Sequence, residues 1–454
     1  MFAGFDYGTS NCAIGVIQQD QAKLIPLQQQ TSLLTSTLYA PEREIILPWL
    51  ANALPQSELK TQWLKQRGPA MLAAKRVQQE LKLDGIDTEL HFGDAALAKY
   101  LEEPEEGYYI KSPKSFLGAS GLNQIQLALF EDIVTAMFCH IKQSAEQHLD
   151  DTLEQVVIGR PVNFQGLKGE QSNQQALQIL TQAGKKAGFK AIEFQYEPIA
   201  AGFAFEATLS QAQKVLVVDI GGGTTDISLM QMSPSYQTST ERHQHILGHT
   251  GERIGGNDFD IHFALRGLMP LFGLDSELVT GKPMPAKALF DAVAINDVGS
   301  QTRFYSRDNQ LMLKELIKDS CAPEQLKRLM HLQQHKQSYQ LVNTAEQAKK
   351  QLSEQNQCFA DLAYVEAGLG CELAQATLGQ ASLPLLVKIK HLIDETLRQA
   401  QTQPDVIFVT GGSAKSPVIT DFLRQNYPNS PIRAGDHFAS VATGLTRWSQ
   451  LCFG

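Results

Sequence analysis

The stretch VLVVDIGGGTTDISL at residues 215–229 constrains the fold more than any other part of the chain. Two apolar runs flank the glycines at 221–223, a pattern that predicts two β-strands joined by a tight turn. Without a Cβ, these glycines let backbone N–H groups approach an anionic ligand closely. Asp219 and Asp226 border the turn, so a phosphate would be repelled unless a divalent cation lay between. An ordinary glycine hairpin with turn-forming aspartates is the alternative interpretation.

The same pattern occurs at the start of the chain. Residues 2–16, FAGFDYGTSNCAIGV, predict a strand, then Asp6, then a Gly-Thr-Ser turn at 8–10, then a second strand. A third glycine turn, at 411–413, follows the apolar run at 406–409. Two strand–Asp–Gly–Thr hairpins about two hundred residues apart predict a duplicated domain. Each half would contribute one hairpin to a single nucleotide site.

These motifs resemble those of the actin-like ATPases, and within them the nucleotide-binding domain of the DnaK-type heat-shock chaperones. The similarity is greatest to truncated bacterial members that lack the substrate-binding domain. The resemblance implies an α/β actin-like ATPase fold, in which two lobes each carry a ribonuclease-H-like mixed sheet flanked by helices. Lobe I would span residues 1–205, with its core at 1–35 and 115–205 and a peripheral subdomain at 36–114. Lobe II would span residues 206–454, with its core at 206–255 and 385–454 and an enlarged peripheral subdomain at 256–384.

Length and composition exclude several classes of protein. At 454 residues, the chain is too long for a single core, so two or more lobes are expected. The net charge of −9 argues against nucleic acid or an anionic membrane as a partner. There is no apolar run long enough to span a bilayer and no signal-peptide pattern at the start. The six cysteines form no CxxC pair and are typical of reduced thiols in a cytoplasmic protein.

The resemblance implies that ATP or ADP binds with Mg²⁺ through backbone and hydroxyl donors of the glycine turns. Gly255 and Gly256 belong to a further strand-to-helix turn that passes close to the ribose and phosphates. The residues implied in nucleotide binding are Gly8, Thr9, Ser10, Asn11, Gly221, Gly222, Gly223, Thr224, Gly255, Gly256, Gly411, Gly412 and Ser413.

The resemblance also implies the metal and water positions. Asp6, Asp219 and Glu197 would hold Mg²⁺ mainly through waters, and Asp6 is alternatively a ligand of a monovalent cation such as K⁺. Lys114, with Asp226 and Thr224, would position the attacking water. In the family, a lysine of the peripheral subdomain reaches the γ-phosphate and the attacking water, and two lysines of this chain are candidates for that role. The context Lys-Ser-Phe-Leu-Gly favours Lys114 over Lys75, which we interpret as a solvated helix residue.

The segment NTAEQAKKQLSE predicts a nucleoside-binding helix face. Glu346, Lys349, Lys350 and Ser353 follow at i, i+3, i+4 and i+7, which places them on one side of a helix. The resemblance implies that Glu346 and Lys349 bind the ribose, that Lys350 stacks on adenine, and that Ser353 bonds to the ring. The family usually has arginine at the position of Lys350 and often at that of Lys415. Because lysine stacks less well, weaker nucleotide binding is expected. A solvated helix face is the alternative.

Several further segments have expected roles. We expect helices at 59–83, 127–149, 174–187 (with Gly188 as C-cap) and 384–400, and N-cap or first-turn positions for Asp258 and Asp260. Small residues at 200–202 would contact Ala442 and Gly444 where two hinge helices cross. Residues 265–340 are predicted to be extra helices relative to the family.

Pro161 follows a predicted strand and has two possible roles. It either relays the state of the bound nucleotide to a partner domain, as the resemblance implies, or simply ends the strand. The family also has an arginine in this relay. Because the sequence VNFQGLKGE after Pro161 departs from the family pattern, we assign no arginine to that role.

Two further expectations concern metals and overall function. His243, His245 and His249 have a zinc-like spacing, but we expect no zinc, because a His-x-His strand with no nearby carboxylate or thiol is a poor site. The implied reaction is slow hydrolysis of ATP, which sets the lobe angle.

The given sequence stops about ten residues after the second hinge motif, so we expect no peptide-binding domain. The protein would then act through an unidentified protein partner that recognises the closed conformation of the lobes. A filament-forming ATPase or a small-molecule kinase is the alternative, although no aspartate placed to activate a substrate hydroxyl is evident.

Overall fold

The structure is a computed structural model that describes residues 1–28, 31–119, 121–164, 169–239, 242–435 and 440–454, without the side chains of Ala204 and His243. The strands are β1 (Phe2–Tyr7), β2 (Asn11–Gln18), β3 (Gln21–Leu24), β4 (Leu34–Thr35), β5 (Thr37–Ala40), β6 (His91–Phe92), β7 (Tyr108–Lys111), β8 (Gln155–Arg160), β9 (Ala191–Tyr196), β10 (Gln213–Ile220), β11 (Thr225–Met232), β12 (Ile246–Glu252), β13 (Gln357–Asp361), β14 (Gly370–Ala374), β15 (Val406–Thr410) and β16 (Ile432–Ala434).

The helices are α1 (Ile46–Ala53), α2 (Glu58–Gln66), α3 (Gly68–Leu83), α4 (Asp94–Glu102), α5 (Gln124–Leu149), α6 (Glu170–Lys186), α7 (Glu197–Glu206), α8 (Gly256–Gly267), α9 (Ala286–Val293), α10 (Val298–Phe304), α11 (Arg307–Asp319), α12 (Pro323–Gln334), α13 (Ser338–Gln351), α14 (Gln375–Ala400), α15 (Pro417–Asn426) and α16 (Ser440–Phe453).

Two mixed sheets with the same strand arrangement form the centre of the fold. The first sheet has the order β3-β2-β1-β8-β9, with β4 also paired to β2, and the second has the order β12-β11-β10-β15-β16. In both sheets, the first three strands are antiparallel and the last two pair in parallel. The predicted hairpins β1–β2 and β10–β11 are therefore confirmed, and they occupy corresponding places in the two sheets.

Apolar cores cover both sheets. The first sheet packs against α5 and α6 through fully buried side chains such as Phe5, Phe138 and Leu180. The second sheet packs against α14 and α15, with Leu216 and Ile393 in the shared core. A sheet flanked by helices in this way buries the apolar faces of both kinds of element, which is the stable solution for an α/β layer structure.

Helices α7 and α16 cross between the two sheets, as the small residues predicted. A Cβ placed on Gly444 would lie 1.8 Å from the carbonyl oxygen of Ala200, so the two backbones touch. Ala442 is fully buried in the same region. Gly202 faces away from α16, because a Cβ there would meet the Met232 Cε at 2.4 Å.

The helix predictions are correct in kind but not in all boundaries. The stretch at 59–83 forms two helices, α2 and α3, which meet at Arg67. Helix α14 begins nine residues before the predicted start, so Pro384 lies inside it. Leu378 and Ala381 extend the buried face of α14 into a neighbouring core, and this packing outweighs the loss of one backbone hydrogen bond at proline. The C-cap of α6 is Ala187 rather than the predicted Gly188, which follows it with a φ of 101° and donates its N–H to the Lys185 carbonyl at 3.1 Å.

The extra segment at 265–340 is helical, as predicted. Helices α9 to α12 gather around an apolar core with α8 and α13, in which Phe272, Phe304 and Leu329 are fully buried. Two small sheets complete the fold: β6-β5-β7 lies in the part of the chain between the first hairpin and α5, and β13-β14 lies beside α13. Among the residues that the structure describes, no helix combines the length and apolarity needed to cross a bilayer.

Candidate functional site

A cleft of about 520 Å³ lies where the two sheets face each other. Both predicted hairpin turns reach it, and Asp6 and Asp219 line the same cavity. The two turns are in contact, because a Cβ on Gly222 would lie only 1.9 Å from the Ser10 Oγ. This close approach explains the glycine at the second turn, and it brings two distant parts of the sequence into one site.

The other two glycine turns join the same site. The Gly256 N–H donates to the Gly221 carbonyl at 2.9 Å, and a Cβ on Gly255 would lie 2.5 Å from the Gly222 carbonyl carbon. Gly411 has a φ of 86°, and a Cβ there would lie 2.3 Å from the Ile220 carbonyl oxygen. Such positions exclude any side chain. The predicted phosphate-binding residues that line the cleft are Gly8, Thr9, Ser10, Asn11, Gly221, Gly222, Thr224, Gly256, Gly411, Gly412 and Ser413.

Four carboxyl groups surround the hairpin turns: Asp219, Asp226 and Glu197 are buried, and Asp6 is half-buried. Asp219 and Asp226 are directly opposite each other across β10 and β11. Burial, reinforced by the charge of Glu197, raises the pKa of Asp6 and that of Asp226 to about 7. Burial also raises the pKa of Asp219 well above its usual range. The three aspartates therefore resist ionisation, because burial disfavours the charged form and each charged neighbour disfavours it further.

Lys114 is the lysine that lies at this cluster. Its Nζ is 2.5 Å from the Glu197 Oε1, and both side chains are buried. Glu197 is the first residue of α7, where the helix dipole favours a negative charge. Lys75 is exposed on α3. The geometry thus places the lysine of the Lys-Ser-Phe-Leu-Gly context at the carboxyl cluster, behind the cleft surface.

Asp226 also contacts the segment that follows Pro161. The backbone N–H of Val162 donates to the Asp226 Oδ1 at 2.7 Å. Arg160, just before the proline, lies over the rings of Tyr196 and Phe164. Residues 165–168, which include part of the unusual sequence after Pro161, lie outside the described residues. The relay arginine remains unassigned.

The predicted nucleoside-binding residues lie on or just after α13 and all line the cleft. Glu346 pairs with Lys111 at 2.7 Å and with Lys350 at 2.9 Å, whereas Lys349 pairs with Asp260 at 2.7 Å. Burial opposes ionisation of Glu346, but the adjacent lysines, Lys111 first among them, hold its pKa well below the usual range.

Ser353 differs from the prediction in one respect. Helix α13 ends at Gln351, so Ser353 lies in the following turn rather than on the helical face. Its hydroxyl donates to the Lys349 carbonyl at 3.3 Å. The side chain still reaches the cleft, because the turn continues along the same wall. Lys415, after the third glycine turn, also lines the cleft.

The role predicted for Asp260 was wrong. The N-cap of α8 is Gly255, whose N–H donates to the Asp258 Oδ2 at 2.8 Å, so Asp258 caps the helix from its first turn. Asp260 lies in the next turn, where it is buried and pairs with Lys349. Spacing along the sequence could not reveal this, because the partner is on another helix.

Sequence reasoning missed Lys111, Tyr109 and Tyr339, all of which line the cleft. Lys111 ends β7 and reaches Glu346, a residue far along the chain. The only signal for it in the sequence is its position three residues before Lys114. A lysine at a strand end is normally solvated, so that signal is weak.

The histidine-rich segment is not the strand that was expected. His245 belongs to a short 3-10 helix before β12 and stacks on Tyr236, with ring centroids 4.1 Å apart. His249 is exposed on β12. The side chain of His243 lies outside the described residues. Within the described ranges, no group of three or more His, Cys, Asp or Glu side chains is arranged to bind a metal directly.

One comparison with known proteins bears on this site. The family model described as Hsp70 protein matches residues 123–265. The matched region contains the second glycine hairpin, Glu197 and the turn at Gly255 and Gly256. Over this region, less than half of the chain, the sequence is similar to the Hsp70 family.

Proposed function

We propose that this protein binds ATP with Mg²⁺ in the cleft, hydrolyses it slowly to ADP and phosphate, and uses the bound nucleotide to set the angle between two lobes. The Hsp70 match suggests an ATP-binding, chaperone-like function. The mixed sheets flanked by helices are consistent with the actin-like ATPase fold of that family. The single observation that carries the proposal is the meeting of the two Asp–Gly–Thr hairpins, with Ser10 against Gly222, at one cleft.

The hairpin turns and the turn at Gly255 and Gly256 are suited to phosphate groups. They offer backbone N–H groups and the hydroxyls of Thr9, Ser10 and Thr224, all around one cavity. Such donors stabilise negative charge on phosphate oxygens without a large reorganisation. The nucleoside would extend from there along α13 towards Glu346, Lys349, Lys350 and Ser353, with the third glycine turn and Lys415 on the other side.

The donor set fits Mg²⁺ held mainly through waters. Asp219, Asp226 and Glu197 are buried carboxyl groups, Asp6 beside them is half-buried, and Lys114 pairs with Glu197. A divalent cation would offset this excess of acidic groups and favour the ionised form of Asp6, Asp219 and Asp226. Bound Mg²⁺ would supply neutralisation of charge on the β- and γ-phosphates.

Water activation would rely on position rather than on a strong base. Lys114 is held by Glu197, and Asp226 is held by the Val162 N–H and by Thr224. These groups can orient a water for in-line attack on the γ-phosphate. The transition state of phosphoryl transfer is loose, so orientation and charge stabilisation suffice. Turnover is expected to be slow.

We further propose that the two sheets belong to two duplicated lobes, at residues 1–205 and 206–454, with α7 and α16 at the hinge. The shared strand arrangement of the two sheets supports this division. An unidentified protein partner would read the closure of the lobes over the nucleotide. The observations that favour such a device are the direct backbone contact of the hinge helices and the placement of the cleft between the sheets.

Calorimetric titration of the purified chain with ATP and Mg²⁺, combined with release of labelled phosphate, tests the proposal. We expect binding of ATP and slow release of phosphate. Asp219→Asn should lower the hydrolysis rate at least about 100-fold, because it removes a charge that the metal needs. Asp275→Asn, at a position outside the cleft lining, is the control and should leave the rate unchanged. A wild-type chain that binds no ATP at millimolar concentration would refute the proposal.

If binding is confirmed, the Asp219→Asn variant also serves to find the partner. An ATP-trapped variant should retain a partner that reads the closed state, whereas the wild type should release it after hydrolysis. Affinity capture with both proteins, in ATP and in ADP, measures this difference. A partner retained equally in all four samples would contradict the role of lobe closure.

A further inference from the structure

The first turns of α14 form part of the cleft wall at its nucleoside end. Helix α14 begins at Gln375, and Leu378 and Ser382 line the cleft. These three residues follow at i, i+3 and i+7, so they lie on one face of the helix. The Gln375 side-chain amide donates to the Leu352 carbonyl at 2.9 Å, next to Ser353. This face of α14 therefore starts beside the turn that carries one of the predicted nucleoside-binding residues.

The start of α15 continues the same wall. Ser416 and Ile419 line the cleft just after the third glycine turn. Leu378 belongs to an apolar core against which Val418 of α15 packs, and the two helices are in contact. Leu378 and Ile419 offer apolar surface to the cleft, whereas Ser382 and Ser416 offer hydroxyl groups. Such a lining is complementary to a planar base that has a polar edge.

The Ser382 hydroxyl lacks the bond that a buried hydroxyl in a helix commonly makes. The residue is only 2% exposed. On the same helix, Thr396 donates to the Leu392 carbonyl, four residues earlier, at 2.9 Å. Within the described residues, Ser382 makes no such bond to Leu378 and has no other side-chain partner. Because an unpaired buried hydroxyl destabilises the folded state, a ligand that pairs with Ser382 would remove this cost.

The Ser416 hydroxyl is also unused by the helix that it precedes. Ser416 is the N-cap of α15, yet its side chain makes no capping hydrogen bond. Serine is favoured at N-caps because its hydroxyl accepts a backbone N–H of the first turn, as Ser306 does from Asn309 at 3.2 Å in α11. Ser416 is 8% exposed and lines the cleft, so its hydroxyl is available to a ligand.

We propose that Ser382 and Ser416 bind the edge of the base and determine which base the cleft accepts. This role rests on the proposed binding of ATP. The edge of adenine carries an amino donor beside acceptor nitrogens, and a hydroxyl can both donate and accept. Two hydroxyls can therefore pair with one donor and one acceptor of adenine. A base that lacks the amino group would leave a buried hydroxyl without its donor, which such a site penalises.

Two nucleotides that differ only in the 6-amino group test the proposal. Calorimetric titration with Mg²⁺ compares ATP with purine riboside triphosphate, which lacks that group. The wild-type chain should bind ATP at least about tenfold more tightly than the analogue. Ser382→Ala and Ser416→Ala should each lower this ratio at least about threefold, because the variants lose affinity for ATP and not for the analogue.

Ser449→Ala is the matched control. Its hydroxyl is buried on α16, donates to the Thr446 carbonyl at 2.7 Å and lies outside the cleft lining, so the ratio should stay at the wild-type value. Urea denaturation of the nucleotide-free proteins adds a measurement that needs no ATP. Ser382→Ala should leave the free energy of unfolding unchanged or raise it, whereas Ser449→Ala should lower it.

The outcomes for the serines and for ATP binding are distinguishable. A wild-type chain that binds both nucleotides equally, or a ratio that is the same in wild type and in both variants, overturns the role of Ser382 and Ser416 and leaves the proposed function standing. A wild-type chain that binds neither nucleotide refutes the proposed function, and base recognition with it. If nucleotide-free Ser382→Ala loses as much stability as Ser449→Ala, its hydroxyl is already bonded within the protein, and base recognition by Ser382 is overturned.

Discussion

At the scale of single residues, some polar side chains are buried at a cost to the stability of the folded state. Tyr7, at the end of β1, is fully buried against Phe5 and Phe138. Within the described residues, its hydroxyl is among the buried polar atoms that have no hydrogen-bond partner. A buried hydroxyl of this kind destabilises the folded state, because it is hydrated only when the chain unfolds.

Tyr7→Phe should therefore leave the free energy of unfolding unchanged or raise it by about 1 kcal/mol. The ring contacts persist, and only the unpaired hydroxyl is lost. Urea denaturation measures the change, with Tyr100→Phe as the control, since that hydroxyl does have a partner and its loss should be destabilising. A loss of stability greater than about 1 kcal/mol in Tyr7→Phe would show that the hydroxyl is bonded in solution.

His140 is a second residue of this kind. It stacks on Phe92 with ring centroids 4.2 Å apart, and burial lowers its pKa to about 4. The unfolded chain takes up the proton near pH 6.5, whereas the folded chain resists it down to about pH 4. Stability from this residue is therefore full above pH 6.5 and is lost as the pH falls towards 4.

Acid should thus destabilise the wild-type chain by up to about 3 kcal/mol through His140 alone. His140→Gln cannot titrate and should show a flatter dependence of the free energy of unfolding on pH between 6.5 and 4. Denaturant titrations at several pH values measure both curves. His249→Gln is the matched control because His249 is exposed, and it should keep the wild-type slope. Parallel curves for His140→Gln and wild type would contradict the prediction.

At the scale of elements, α7 and α16 cross in direct backbone contact. This contact depends on Gly444, because any side chain there would enter the backbone of α7 at Ala200. Helices that touch through their backbones can rotate about a small area, which suits a hinge. The sequence motif of small residues found this contact without any knowledge of the sheets.

Gly444→Ala should lower the free energy of unfolding by about 3 kcal/mol or more, because the added Cβ would force the helices apart. Thermal and urea denaturation measure the loss. Gly379→Ala is the matched control: that glycine also lies in a helix, but a Cβ there meets no atom within 4 Å. The control should be neutral or stabilise by about 1 kcal/mol through helix propensity. Equal effects of the two changes would mean that the helices are not in close contact.

At the scale of the whole molecule, acidic groups from three separate segments of the chain come together at the cleft and directly behind it. Asp6 comes from the first sheet, Asp219 and Asp226 from the second, and Glu197 from α7. No segment alone has a reason to place a carboxyl group in a buried site. The excess of acidic groups arises only in the assembled fold. Because it would repel a phosphate, we expect phosphate groups to bind only together with a metal ion.

Removal of Mg²⁺ with EDTA should therefore lower the affinity for ATP at least tenfold, a difference of about 1.4 kcal/mol or more. Titration calorimetry with and without EDTA measures it. Adenosine, which has no phosphates, should bind equally well in both conditions and serves as the control ligand. A metal-independent affinity for ATP would show that the carboxyl groups do not face the phosphates.

The sequence alone determined the features that depend on neighbours along the chain. The two glycine hairpins, most helices and the small-residue crossing follow from local pattern and steric need, which a sequence contains in full. Lys114 was preferred to Lys75 by its motif, and the structure brings the same lysine to Glu197. Local patterns failed at Pro384, where buried contacts of α14 override the usual effect of proline.

Only the tertiary structure decided which residues meet across the chain. The pairing of Asp260 with Lys349, that of Lys111 with Glu346, and the packing of Tyr339 against Tyr100 all join residues far apart in sequence. Such contacts have no signature in a single sequence, because they depend on how separate elements pack. Sequence determines which groups a chain can offer, and packing determines which of them face one another.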